Sequence, residues 1–146
     1  MASSSFSVAL AAAASAAAAR PGLRVAVVGS RGFPALGLVR EFVAQLPASV
    51  VLVSGGARGV DQCAAAAWRS RGFVPVVLPF VRSLGRAGGP VRNRQLVASV
   101  GLVVAFWDGC SSGTAGAVEI ARRSGVPVFV VLPPPAPSSP AQLPLF

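Results

Sequence analysis

The chain has no histidine, no lysine and no tyrosine in its 146 residues, and only four acids, Glu41, Asp61, Asp108 and Glu119. Without histidine, neither a Ser-His-Asp nor a Cys-His nucleophilic site can be assembled, and the HExxH zinc helix is excluded. The two cysteines, Cys63 and Cys110, lack the spacing of metal ligands, so no metal site is expected. Their scarcity fits a reduced, cytoplasmic setting. The alanine-rich start is too weakly apolar to read as a membrane span, so no membrane partner is expected.

All thirteen basic residues are arginine, and the net charge is +9. Lysine-free, alanine-rich composition is what GC-rich coding produces, so the choice of arginine carries little weight. The charge excess carries more. It favours polyanionic partners such as nucleic acid, nucleotides or anionic lipid. Arginines that merely keep an apolar surface soluble are the competing explanation.

The length suits one domain plus tails, with enough chain to bury a core. Residues 1–22 are a low-complexity, Ala/Ser-rich segment. It resembles a secretory apolar region without the preceding basic residues, or a transit peptide with one arginine. Alanine is the best helix former, so the segment is read as a loose helix. Residues 133–146 form a Pro/Ser-rich extended linker ending in Gln142-Leu143-Pro144-Leu145-Phe146.

Between them, residues 23–132 alternate regularly. Continuously apolar runs at 24–28, 50–53, 74–78, 102–106 and 128–132 read as strands covered on both faces. Helix-like runs lie between them at 35–46, 60–71, 91–99 and 114–124, with Gly72 and Gly125 placed as C-terminal caps. The expectation is a single Rossmann-like, doubly wound parallel α/β sheet of about five strands, order 3-2-1-4-5, with helices on both faces. Ligands of such sheets bind beyond the strand carboxyl ends, where the order reverses.

Four stretches fall on that edge. In Gly29-Ser30-Arg31-Gly32-Phe33, backbone N–H groups and Ser30 can hold a phosphate, Arg31 can clamp it and Phe33 can stack on a base. A tight turn with Phe33 in the core fits equally well. Ser54-Gly55-Gly56-Ala57-Arg58-Gly59-Val60-Asp61 is more specific: Arg58 can grip an anion bidentately, and Asp61 can cap the helix or accept from a ribose hydroxyl. In Gly89-Pro90-Val91-Arg92-Asn93-Arg94, Arg92, Asn93 and Arg94 sit at a positive helix end, which a bound anion would relieve. Asp108-Gly109-Cys110-Ser111-Ser112-Gly113-Thr114 offers Ser112, Gly113 and Thr114 at another helix start, with Thr114 as a simple N-cap the alternative. The intervening loop, residues 79–90, is the longest and carries Arg82 and Arg86. Four helix starts on one sheet edge describe a cradle for a phosphorylated, base-bearing ligand.

The four stretches, in this order and spacing, resemble the SLOG superfamily of Rossmann-like proteins, above all its small YspA/cpYpsA-related branch, and the Rossmann core of the DprA/Smf family. The resemblance covers about residues 24–132. It implies a nucleotide- or nucleotide-derivative-binding module that needs no cofactor beyond the nucleotide it holds, and it implies homo-oligomers as partners. The DprA/Smf likeness implies instead single-stranded DNA binding by the same arginines plus Arg82, Arg86 and Arg94, with bases stacking on Phe33 or Trp107. The superfamily also contains the LOG phosphoribohydrolases, whose PGGxGTxxE motif places a glutamate three residues after the threonine. Here that place is Ala117, and Glu119 stands two residues later. If the chain is an enzyme, it is a nucleotide N-glycosidic hydrolase with Glu119 or Asp108 as acid/base. The C-terminal Gln142, Leu143, Leu145 and Phe146 resemble a bacterial sliding-clamp-binding peptide, which implies the clamp as a partner.

Overall fold

A computed structural model describes residues 2–78 and 82–134. The element order is α1 (Ala2–Ala18), β1 (Arg24–Gly29), α2 (Leu36–Gln45), β2 (Val51–Ser54), α3 (Val60–Ser70), β3 (Val76–Val77), a 3-10 turn (Arg82–Ala87), α4 (Gly88–Ala98), β4 (Leu102–Phe106), α5 (Ser112–Arg123) and β5 (Val128–Val131). The tail residues Gln142, Leu143, Leu145 and Phe146, read as a clamp peptide, lie outside the described residues, as does most of the linker.

The five strands form one all-parallel sheet in the order β3-β2-β1-β4-β5, as expected from the apolar runs. The two central strands show why those runs are continuous. Val25 and Val27 of β1, with Leu102, Val104 and Phe106 of β4, pack into one core with Leu10, Phe42, Val43 and Trp68. Ala26, Val28, Val103 and Ala105 alternate to the other face and meet Leu96, Val97, Ala117, Val118 and Ala121 of α4 and α5. Period-two alternation thus buries every residue of a strand that has helices on both sides.

Three local differences from the sequence reading have plain causes. β3 is only two residues long, shorter than the run at 74–78. Pro75 has no N–H for a ladder, and Val74, at the sheet edge, is 86% exposed. The loop at 79–90 is partly helical: a 3-10 turn kinked at Gly85 (φ 57°) leads straight into α4, with Pro90 in the first turn, where no donor is lost. Finally, the alanine-rich start is a packed helix. Leu10, Ala13 and Ala17 are fully buried, small side chains letting α1 lie close against α2 and β5. No helix among the described residues is long and apolar enough to cross a membrane.

Not every arginine is available to a ligand. Arg71 Nη1 donates to the carbonyls of Val43 and Leu46, both at 2.7 Å, closing the C-terminal end of α2. Its guanidinium also lies 5.0 Å from the Trp68 ring centre and 5.4 Å from that of Phe73. Loss of charged hydrogen bonds and of cation–π contact at a partly wet site costs about 1–2 kcal/mol. Arg71→Ala is therefore expected to lower the unfolding free energy by that amount, read from urea denaturation, while leaving anion binding intact.

Candidate functional site

The turn after β1, the turn after β2, the start of α4 and the turn after β4 border one cleft of about 730 Å³. It lies beyond the carboxyl ends of β1 and β4, the neighbours at which the strand order reverses. Its polar wall is Arg31, Asp61, Arg86, Arg92, Asn93, Asp108, Ser111, Ser112 and Thr114, and its apolar wall is Val28, Ala117 and Ile120.

In the first turn only the backbone and Arg31 face the cleft. Ser30 is buried; its Oγ accepts the Asp108 N–H at 3.1 Å and lies 3.5 Å from Thr114 Oγ1, so it ties this turn to the fourth. Gly29 is required because a Cβ there would stand 2.5 Å from Val60 Cβ and 2.6 Å from the Phe106 carbonyl. Phe33 corrects the sequence reading. It is 3% exposed, with its ring edge-on to Phe106 at 5.7 Å, so it belongs to the core and presents no face to a base.

The second turn is built by short contacts. Ser54 Oγ donates to the Asp61 carbonyl and accepts the Gly56 N–H, each at 3.2 Å. A side chain at Gly55 would collide with the Arg92 guanidinium. Gly59 (φ 82°) lies against Arg31, whose carbonyl would be 2.5 Å from a Cβ. Arg58, read as a clamp, is exposed and does not line the cleft; it stands at the outer apex between Gly56 and Gly59, both with positive φ.

Asp61 is 3% exposed. Its Oδ2 accepts the Ala57 N–H at 3.3 Å, while Oδ1 has no hydrogen-bond partner among the described residues. Burial pushes its pKa up to about 6, against the pull of the Ala57 N–H, the Arg92 charge and the nearby N–H groups of Gly29 and Gly55. The folded state therefore holds more protons than the unfolded chain between the ordinary carboxyl value, 3.8, and about 6. Asp61's contribution to stability therefore falls as pH rises through that window, by about 3 kcal/mol. Urea midpoints measured from about pH 4 to about pH 7 should decline, and Asp61→Asn should flatten the decline.

Arg92 and Asn93 act as stitches. Arg92 Nη1 donates to the Gly55 carbonyl at 2.7 Å and its Nε to Asn93 Oδ1 at 3.2 Å; Asn93 Nδ2 donates to the Gly113 carbonyl at 3.2 Å. They fix α4 to the second and fourth turns, leaving the remaining guanidinium N–H groups for a ligand. In the fourth turn the N-cap is Ser111, not Thr114: Ser111 Oγ accepts the Thr114 N–H at 3.5 Å. Asp108 Oδ1 accepts the N–H groups of Cys110 and Ser111, both at 2.8 Å, which hold its carboxyl below the ordinary value and ionised. The Trp107 indole N–H is taken by the Ser111 carbonyl at 2.9 Å. The amides of Ser112 and Gly113 belong to a first helical turn and have no acceptor within the helix.

Glu119 is also corrected. It pairs with Arg123 at 2.8 Å on the outer face of α5 and does not line the cleft, whereas Ala117, two residues earlier, does. Asp108 stands at the cleft but as a fixed anion, unsuited to donating a proton. Arg94, one residue past Asn93, is exposed and does not line the cleft. Sequence reasoning gave Arg86 only as one of the loop arginines and passed over Ser111; the Ser-x-x-Thr spacing was the available signal for the latter. Among the described residues, no group of three or more His, Cys, Asp or Glu side chains comes together to hold a metal.

No family model matches the chain, and no curated protein matches it by sequence. Solved structures that share its fold include two of DNA processing protein A. DNA processing protein A from Helicobacter pylori, which binds single-stranded DNA, superposes with a TM-score of 0.54 at 22% identity, over 75% of this chain and 65% of that one. DNA processing protein A from Streptococcus pneumoniae gives a TM-score of 0.58 at 22% identity, over 74% of this chain and 50% of that one. The chain thus spans between half and two thirds of those proteins, and at this identity the likeness is one of fold.

Proposed function

We propose that this cleft binds single-stranded DNA through its phosphodiester backbone. The observation that carries the reading is the set of unspent donors on one side of the switch point. Among the described residues Arg31 and Arg86 donate no side-chain hydrogen bond to the protein, yet both line the cleft, opposite the first-turn amides of α5. Guanidinium groups and helix-start N–H groups are the two commonest ways to hold a phosphate. The net charge of +9 supports a polyanion over a neutral ligand, and the fold shared with DNA processing protein A points the same way. With Phe33 in the core, half-buried Trp107, the chain neighbour of cleft-lining Asp108, is the residue we assign to stack on a base.

The cleft volume favours a second reading. About 730 Å³ is ample for a single nucleotide or nucleotide derivative, in which case the chain is a small-ligand module of the SLOG type. Titrating the protein with a labelled oligonucleotide at two salt concentrations, with mononucleotides as competitors, separates the two. Backbone binding is expected to weaken steeply with salt and to resist competition. Displacement by a stoichiometric excess of one mononucleotide overturns it in favour of the small-ligand module.

A further inference from the structure

Asp61 is an acid set into a site for anions. Arg92 of α4 faces it, Arg31 from the turn after β1 and Arg86 from the 3-10 turn share its cleft, and so does Asp108, which belongs to the turn after β4. From α5 only uncharged residues line the cleft, and Arg58 of its own turn stays outside. A phosphate placed among these arginines would lie close to an ionised carboxylate, and in a half-enclosed site that repulsion is poorly screened. The carboxyl has a ready way out. Oδ2 is occupied by the Ala57 N–H, but Oδ1 is unpartnered and free to carry a proton.

We infer that binding of a phosphodiester anion in this cleft is coupled to uptake of a proton on Oδ1 of Asp61, so that the neutral carboxyl is the form that accepts the strand. The inference rests on the strand-binding reading above. The proton comes from solvent and returns there on release. No other cleft group competes for it. The chain has no histidine, and Asp108 is kept ionised by two backbone donors. Because burial has already brought the free carboxyl to about 6, the coupling acts near neutral pH. If the bound anion raises that value by about one further unit, affinity is about tenfold higher at about pH 5 than at about pH 8.

The test uses the full chain and an oligothymidylate without terminal phosphate, since neither thymine nor a phosphodiester titrates in this range. Calorimetry in two buffers of different ionisation enthalpy, at about pH 6.5, should show uptake of about half a proton per bound strand. Asp61→Asn should abolish the uptake and flatten the pH profile of affinity. Strand binding without proton uptake by the wild-type protein overturns the coupling and leaves the strand-binding reading standing. Undiminished uptake by Asp61→Asn overturns the assignment to Asp61. Should that variant not fold, the wild-type measurement decides alone. Absence of strand binding at every pH removes the strand-binding reading and the coupling with it.

Discussion

Gly59→Ala is expected to destabilise the protein by about 3–5 kcal/mol, the largest effect of any single-methyl substitution at the cleft. Two costs add. At φ 82° and ψ −119° the backbone is in a region that side-chain-bearing residues rarely enter. The added Cβ would also stand 2.5 Å from the Arg31 carbonyl oxygen and 3.0 Å from its Cα. Both neighbours are backbone, so neither can rotate away, and relief requires the first and second turns to separate. Gly72→Ala isolates the strain alone, because Gly72 has φ 91° but open space around it, and about 1–2 kcal/mol is expected. Gly32→Ala, with neither strain nor a neighbour, should be neutral within about 0.5 kcal/mol. Urea denaturation of the three variants checks the ranking; a mild Gly59→Ala would mean that the turns are not locked together.

The second large effect concerns binding. Replacing both Arg31 and Arg86 with alanine should weaken single-stranded DNA binding by about 100-fold at low salt, while each single change costs about tenfold. The slope of log affinity against log salt should shrink by about 1.4, since each lost phosphate contact on a single strand removes about 0.7. Stability should be little changed, because neither side chain is hydrogen-bonded to the protein among the described residues. Arg58→Ala is the informative control. It removes the same charge from an exposed position outside the cleft, so its effect should be well below tenfold. Equal losses for Arg58 and Arg31 would mean that binding follows overall charge and not the cleft.

The parallel sheet could be read from the chain because β4 is apolar at every position and β1 at every position after Arg24, the pattern of a strand covered on both faces. Gly72 and Gly125 likewise marked helix ends through the positive φ they adopt. What could not be read is direction and partnership. Arg31, Arg71 and Arg92 are the same residue in a sequence, yet one is unspent, one closes α2 against Trp68, and one is half committed to Gly55. Phe33 closes a phosphate-type turn, and its ring is turned inward onto Phe106 and the core around it. The buried state of Asp61 was equally invisible: a helix-start aspartate is ordinarily solvated, and its burial comes from α4 closing over the second turn. The alanine-rich start lacked amphipathic signal because alanine serves both the buried and the exposed side of α1.

Hydrogen exchange on the full chain, with and without an oligothymidylate, tests the central claim most directly, since it reports where the strand lies as well as whether it binds. Protection is predicted at the amides of the turn after β1, of residues 55–61, and of Ser112 and Gly113, with α1 and the β3 edge unchanged. Protection confined to those outer elements, with the cleft amides exchanging as before, would contradict it.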